Sequence, residues 1–464
     1  MHLFILAVAS IFSKFAGIIV AVCPFFDAFP PQVPSFLGGY DNGLLYALNP
    51  RVFLARCQYV TDCSAIHCLM QVPLTRQRYG PIYRVWIGNW RFKVVSSGDA
   101  ISSVLLAPPE LLRNDTMHQE VFHVVAGVKI NSAHLHDFMV HELFPLVDKA
   151  FSLRSLGQTT HAFGLVLLLQ IRKVVEDHSG PISITELTNR PLYATINLLL
   201  LGSTFPEDTY DDFQTLSRSI PYRFTRTLLW HWPSHAARTR LLRILERYLQ
   251  QGEVSDCDNK FSSGFKKAFK DNNIQSLEGA QLVLNFLWGV HTNTLSNSLF
   301  LLSFLLCDPS ALARIRAEVD LAVEKFGSLE TLLGAGPDDL DDSSFQLLTS
   351  AIMETMRLTA LHIGIRQANC DFDLRIKDGF IPIKNGEFIF GNVRAAHTDP
   401  AVYPNPEIFV VDRFAQQPYR KKRLQTVGYP FHSLGGGRHI VRAAFSFSTV
   451  SEYSCPCTSV KADG

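Results

Sequence analysis

The chain has 464 residues, 47% of them hydrophobic, with 43 Lys and Arg against 42 Asp and Glu and a formal net charge of +1. That balance excludes a nucleic-acid binder that depends on a strong basic field. Nine Cys without regular spacing exclude a disulfide framework and point to a reducing compartment, and no internal repeat suggests a solenoid or propeller.

Residues 1–23 are almost entirely apolar, broken by His2 and Lys14. A membrane-spanning helix needs about 20 apolar residues, so this stretch is expected to be an N-terminal membrane anchor. A signal peptide is the rival reading, although Lys14 interrupts its apolar region and no clear cleavage site follows. Residues 24–48, with Pro24, Pro30, Pro31 and Pro34, read as a stiff proline-rich hinge. A short amphipathic helix is expected over 49–56. Residues 59–77 fit neither helical nor strand period and read as an irregular insertion. Cys63, His67 and Cys68 lie within it, but no second ligand pair stands at zinc spacing.

The run from Tyr79-Gly80-Pro81 predicts a turn and an alternating strand, and Phe92-Lys93-Val94-Val95 a second strand completing a hairpin around Asn89. From about 117 to 330 the patterns are helical. The apolar runs 163–171 and 198–201 are too short to span a bilayer and are expected in core helices. Arg218, Arg223, Arg226, Arg238, Arg240, Arg243 and Arg247 surround Trp230 and Trp232. This is a solvated basic face or a membrane-facing patch with interfacial Trp.

Residues 276–306 form the longest proline-free helical pattern. Its centre is broken by His291-Thr292-Asn293-Thr294 and again at 296–298, polar groups that a lipid-facing helix rarely carries. A buried helix passing a functional cavity accounts for them, and so do hydroxyls bonding back to the preceding turn. On the next helix Glu354 and Arg357 lie three residues apart, hence on one face, among apolar Ile352, Met353, Met356 and Leu358. A buried carboxylate paired with an Arg fork satisfies both charges; a surface pair is the alternative. Strands follow: one around Arg366, and a hairpin over 380–389 turning at Asn385-Gly386. A proline-punctuated loop and the run Gly435-Gly436-Gly437-Arg438-His439 come last, its glycines permitting close backbone approach to a flat ligand.

Three motifs in this order, Glu354-x-x-Arg357, Pro404-x-Pro406-Glu407-x-Phe409-x-x-Asp412-Arg413-Phe414 and the Gly435–437 run, resemble the cytochrome P-450 family. The Asn293-Thr294 pair with Trp288 upstream is nearest the branch holding sterol 7-alpha-hydroxylases and prostacyclin synthase. The resemblance implies a mainly α fold with small β-sheets (α+β), truncated after the glycine run, with a catalytic domain over 49–440. It implies haem b as cofactor and a lipophilic substrate such as a sterol, fatty acid or terpenoid. It also implies electrons from an NADPH-cytochrome reductase, no nucleic acid, and a monomer on the endoplasmic reticulum membrane facing the cytosol. It makes Thr294 and Asn293 the residues managing oxygen and protons. Arg366 and His439 become contacts of the haem propionates, Gly435 and Gly437 part of the cofactor loop, and Glu354, Arg357 and Arg413 a buried structural triad.

The same resemblance marks departures. The acid usual beside the helix threonine is Asn293 here, and an amide orients water but cannot release a proton as a carboxylic acid does. The Trp-x-x-x-Arg haem contact of the early helices is not evident. The glycine-run spacing puts the iron-ligating Cys at position 441, which holds Val441. Val has no lone pair, so hydroxylation is expected to be impaired. Cys455-Pro456 follows fourteen residues later and is a candidate substitute ligand if residues 441–454 are inserted sequence, which makes 441–464 an aberrant tail. A haem-thiolate isomerase or dehydratase, or an inactive product of mis-spliced coding sequence, are the alternatives to a monooxygenase.

Overall fold

The computed structural model describes residues 82–87, 90–113, 115–128, 133–150, 153–224, 232–251, 260–334, 345–360, 363–377, 379–415 and 431–433. The expected anchor, hinge, first short helix, insertion over 59–77 and tail over 441–464 lie outside them. The chain divides into a sheet unit, built from the segments up to Met117, Pro221–Leu229 and Leu361–Ala396, and a helical unit built from the remainder.

In the sheet unit, β1 (Ile82–Ile87) and β2 (Trp90–Val95) form the expected antiparallel hairpin, with Val85 opposite Phe92. Helix α1 (Gly98–Leu106) follows, then the two-residue strand β3 (Leu112–Arg113). Later strands are β4 (Ile363–Ala368), β5 (Phe372–Ile376), β6 (Gly379–Ile383) and β7 (Phe388–Asn392). The main sheet runs β1-β2-β7-β4-β3 and a second pairs β5 with β6. Side chains alternate along β1, burying Tyr83, Val85 and Ile87 against Phe92, Val94 and Phe390 as a one-sided strand should.

The expected hairpin over 380–389 is not formed. Strand β6 pairs back with β5, placing Ile381 opposite Leu374, while β7 joins β2 in parallel and β4 in antiparallel register. The turn explains the difference. Gly386 adopts φ +78°, and the pair Gly386 N–H to Ala368 O and Ala368 N–H to Glu387 O, each 2.9 Å, hands the chain to β4 instead of back along β6. Lys93, only 5% exposed, holds the junction by donating to Pro382 O at 2.5 Å and to Glu387 at 2.7 Å.

In the helical unit, α2 (Asp115–Ala126), α3 (Ala133–Phe138), a π-turn (Met139–Leu143) and α4 (Phe144–Ala150) precede two long helices, α5 (Leu153–Glu176) and α6 (Ile184–Leu201). Then come α7 (Tyr210–Phe224), which runs on from Pro221 into a segment of the sheet unit, α8 (Trp232–Gln250) and α9 (Lys260–Asp271). The central α10 (Ser276–Cys307) has 32 residues, about 48 Å at 1.5 Å per residue. It is followed by α11 (Pro309–Phe326), α12 (Leu329–Gly334) and α13 (Gln346–Thr359). Asp308 accepts from the backbone N–H groups of Ser310 and Ala311 at 3.1 and 3.0 Å, so α11 starts at an Asp cap with Pro at its first position. Leu200, Leu216, Leu245, Phe265 and Leu284 share the largest core cluster.

Two expectations for this unit are resolved by burial. Leu200 and Leu201 are core residues as expected, while the run 163–171 is only partly so: Phe163 and Leu167 pack against the core, but Leu169 is 62% exposed. A continuous apolar run wraps right round a helix, so one packed face cannot bury all of it. The basic segment on α8 is a solvated face in part, since Arg240 pairs with Asp212 through two N–H groups at 2.8 and 2.5 Å, while Trp232 is 82% exposed; Trp230 and Arg226 lie outside the described residues. Among the described residues no single helix is long and apolar enough to cross a membrane.

Candidate functional site

Helix α13 carries the site's best-defined geometry. Its buried positions, Ser350, Ala351, Glu354, Thr355, Arg357 and Leu358, follow the helical period, yet four of the six are polar. The helix lacks a side-chain cap of its own at Phe345. Glu318 on α11 supplies one, accepting from the N–H groups of Leu347 and Leu348 at 2.7 and 2.8 Å, an anion at the positive end of a helix.

The side chains of Glu354 and Arg357 are both fully buried, which rules out the surface-pair reading. Arg357 donates Nε and Nη2 to the two Glu354 oxygens, each at 2.8 Å. Its Nη1 donates to His397 O at 2.5 Å and Pro406 O at 2.7 Å, and its guanidinium lies 4.9 Å from the centre of the Tyr403 ring. Arg413 completes the cluster, its Nε donating to Glu354 Oε1 at 2.9 Å. Its remaining nitrogens donate to the carbonyls of Pro404 at 2.7 Å, Asn405 at 3.3 Å and Ile408 at 3.2 Å. The carboxylate thus accepts from two guanidiniums and from Val410 N–H at 3.2 Å, the full pairing that a buried charge demands. The triad expected from the sequence is assembled, and its described bonds are all made within the protein, joining α13 to the 404–413 loop.

His397 extends this lock. Its ring is fully buried; Nδ1–H donates to Arg357 O at 3.2 Å and Nε2 accepts from His432 N–H at 2.9 Å. Those two bonds define one neutral tautomer. Phe431 stacks on the ring at 5.4 Å, Ser433 donates to Met356 O at 3.1 Å, and Phe414 N–H donates to Ser350 Oγ at 2.8 Å. The described end of the segment leading to the glycine run is therefore tied to α13. Sequence reasoning passed over His397 and Glu318 because both act on backbone groups distant in sequence.

On α10 the polar interruption largely satisfies itself. Thr292 donates to Trp288 O at 2.5 Å, Asn293 to Gly289 O at 3.0 Å and Asn297 to Asn293 O at 3.0 Å. The Asn297 carbonyl also accepts from Thr359 Oγ1 at 2.9 Å, linking α10 to the helix of Glu354. Thr294 is buried, 7% exposed. His291, fully buried, packs against the rings of Tyr193 and Phe213 at 4.4 and 5.0 Å and bonds Asn197 Oδ1 at 2.9 Å. Burial pushes its pKa down to about 3 and pushes the Tyr193 hydroxyl up to about 12.

Arg366 stands on β4 in the sheet unit, 8% exposed. Its one described bond runs from Nη1 to Ile365 O at 3.0 Å, and among the described residues no carboxylate pairs with it. Burial lowers its pKa, the mark of a cation short of stabilising partners. A buried guanidinium with no counter-charge calls for an anion, and a carboxylate matches its planar fork. Asn293, Thr294 and the triad belong to the helical unit. Gly435, Gly437, His439, Val441 and Cys455 lie outside the described residues. Among the described residues no group of three or more His, Cys, Asp or Glu could hold a metal ion.

A helical body with small sheets thus carries a buried Glu-Arg-Arg lock, and Arg366 is a buried cation without a described counter-charge. The family model "Cytochrome P-450" matches residues 67–440, and the chain belongs to that family, whose cofactor is haem. It is 30% identical over 148 residues to cholesterol 7-alpha-monooxygenase of Cricetulus griseus, covering 32% of this chain and 29% of that protein. It is 25% identical over 260 residues to prostacyclin synthase of Homo sapiens, covering 53% and 51%. The match thus spans less than a third of the length of the first relative and about half of the second. Among solved structures, CYP102L1 superposes with a TM-score of 0.60 at 17% identity, covering 82% of this chain and 87% of that one. Retinoic acid-bound cyanobacterial CYP120A1 gives 0.59 at 17%, covering 81% and 83%. These likenesses establish the fold.

Proposed function

We propose that the chain is by descent a haem monooxygenase for a lipophilic, sterol-like substrate, and that valine at position 441 removes its iron ligand. The carrying observation is Arg366, a buried cation whose described surroundings hold no anion, as a haem propionate site requires. His439 is the second propionate contact, and Gly435 and Gly437 shape the cofactor loop. The sterol class rests on the likeness to cholesterol 7-alpha-monooxygenase. Residues 1–23 anchor the chain to the endoplasmic reticulum, with residues 49–440 as a monomeric catalytic domain facing the cytosol and served by an NADPH-cytochrome reductase.

Bound haem supplies the iron at which oxygen is activated. The chain's own residues hold and orient. Thr294 Oγ–H would be the hydroxyl donor for the oxygen that bound haem activates. Asn293 spends one of its two amide N–H groups on Gly289 O; the other N–H and Oδ1 can orient water, but neither releases a proton as a carboxylic acid does. Val441 offers iron no electron pair, and a thiolate is the ligand that favours O–O cleavage. The family match stops at residue 440, which supports treating 441–464 as a departure, with Cys455 as the substitute ligand if the intervening residues are inserted.

A carbon-monoxide difference spectrum of the reduced, haem-supplemented chain tests this. The native chain is expected to lack a thiolate-type Soret band and Val441→Cys to gain one. A thiolate band in the native chain refutes loss of the ligand, and its absence from both refutes position 441. One observation favours a second reading: without an acid at 293, a peroxide-rearranging isomerase that needs no reductase fits the likeness to prostacyclin synthase. Turnover of a peroxide substrate without reductase would distinguish it.

A further inference from the structure

Helix α13 reaches the segment before the glycine run through one side chain, His397. Arg357 O is among the last carbonyls of α13, which ends at Thr359, and such carbonyls lack a partner inside the helix. His397 Nδ1–H donates to it at 3.2 Å, a side-chain cap at the negative end of a helix. Across the ring, Nε2 accepts the backbone N–H of His432 at 2.9 Å. Phe431 stacks on the imidazole with centres 5.4 Å apart and meets Phe414 in the cluster around Tyr403. Ser433, two residues before Gly435 in sequence, donates to the neighbouring carbonyl of Met356.

These bonds need one donor and one acceptor on a rigid frame. A neutral imidazole supplies both, whereas Lys and Arg only donate and an ionised carboxylate only accepts. A charged ring would turn a second N–H against the N–H of His432. The Arg357 guanidinium, which donates to His397 O at 2.5 Å, and the full burial of the ring both oppose that charge. Glu354, Arg357, His397 and His432 thus form one bonded series that runs from the lock to the segment.

We propose that His397 is a positioning residue for the cofactor: as the Nδ1–H tautomer it sets where the backbone at 432 lies against α13, and so where the chain enters the glycine run. This rests on the reading of Gly435 and Gly437 as the cofactor loop.

The full chain labelled with 15N provides the test by NMR. His397 is expected as the Nδ1–H tautomer, with its neighbour's backbone amide, His432 N–H, exchanging slowly with deuterium. Asn places a donor where Nδ1 stands and Gln an acceptor where Nε2 stands. His397→Asn therefore keeps the bond to α13, and His397→Gln keeps the bond to the segment. Both variants lose one hydrogen bond and should unfold at similar urea concentrations. Exchange at His432 should nevertheless stay slow in His397→Gln and quicken roughly fivefold or more in His397→Asn, and haem uptake followed by absorbance should fall in His397→Asn alone. An Nε2–H or charged ring in the native chain overturns the proposal, as does equal His432 exchange in the two folded variants. If the exchange order holds while haem uptake is the same in all three chains, the cofactor reading of Gly435 and Gly437 fails and the positioning of the segment stands.

Discussion

Replacing Glu354 by Gln alters one buried atom and leaves the shape of the lock. The carboxylate accepts four hydrogen bonds, from Arg357 Nε and Nη2, Arg413 Nε and Val410 N–H. A Gln oxygen placed at the Oε1 position keeps the three that converge there. Its amide nitrogen then confronts the Nε–H of Arg357, donor against donor, and two guanidiniums with side chains 0% and 8% exposed lose their counter-charge. Removing one partner from a buried ion pair costs about 3–5 kcal/mol. Total stability is typically about 5–15 kcal/mol, so Glu354→Gln should remove at least about a fifth of it. Urea unfolding followed by circular dichroism, with limited proteolysis of the 404–413 loop as a local readout, measures the effect. Replacing the cluster together, as Glu354→Leu with Arg357→Met and Arg413→Met, removes the unpaired charges and should fold better than Glu354→Gln alone. A Glu354→Gln chain within about 1 kcal/mol of the native one, with an unchanged cleavage pattern, would refute this account of the lock.

Three further outcomes are expected. His291 keeps its proton off down to about pH 3 when folded, whereas an unfolded His takes one up near 6.5. Its stabilising contribution is therefore complete above pH 6.5 and falls as pH drops, by about 2 kcal/mol at pH 5; denaturation of His291→Phe between pH 6.5 and 5 should lack that slope. Arg366→Leu should leave the haem-free chain at least as stable, because the cation has no described carboxylate partner, while weakening haem uptake in an absorbance titration about tenfold or more. A loss of over 1 kcal/mol in the haem-free chain would count against the unpaired cation. Thr359→Val strands the Asn297 oxygen to which it donates and should cost about 1 kcal/mol in urea unfolding.

Where sequence and structure agree, the signal was local. The hairpin at 82–95, the 32-residue helix and the Glu354–Arg357 pair each follow from a short-range period. Arg413 was legible only through the motif that carries it, because nothing local tells a core Arg from a surface one. The sequence misplaced β7 because Asn385-Gly386 signals a turn but not which edge receives the outgoing strand; the backbone bonds of Ala368 decide that. It missed the cap of α13 because the capping carboxylate, Glu318, lies 29 residues earlier. His291 was visible as part of a polar break, but its partner Asn197 is 94 residues away, beyond any period.

Along residues 404–408 the arginine lock reads main chain, not side chains. Between them Arg357 and Arg413 hold the carbonyls of residues 404, 405, 406 and 408, and a carbonyl is common to every amino acid. An outward-facing side chain of that loop such as Ile408, 60% exposed, can therefore change while the loop keeps its path. The exception is Asn405, whose φ of +49° restricts it to residues that tolerate left-handed backbone. The lock thus separates what the loop looks like from where it runs, so its outer surface can diverge without any change of fold.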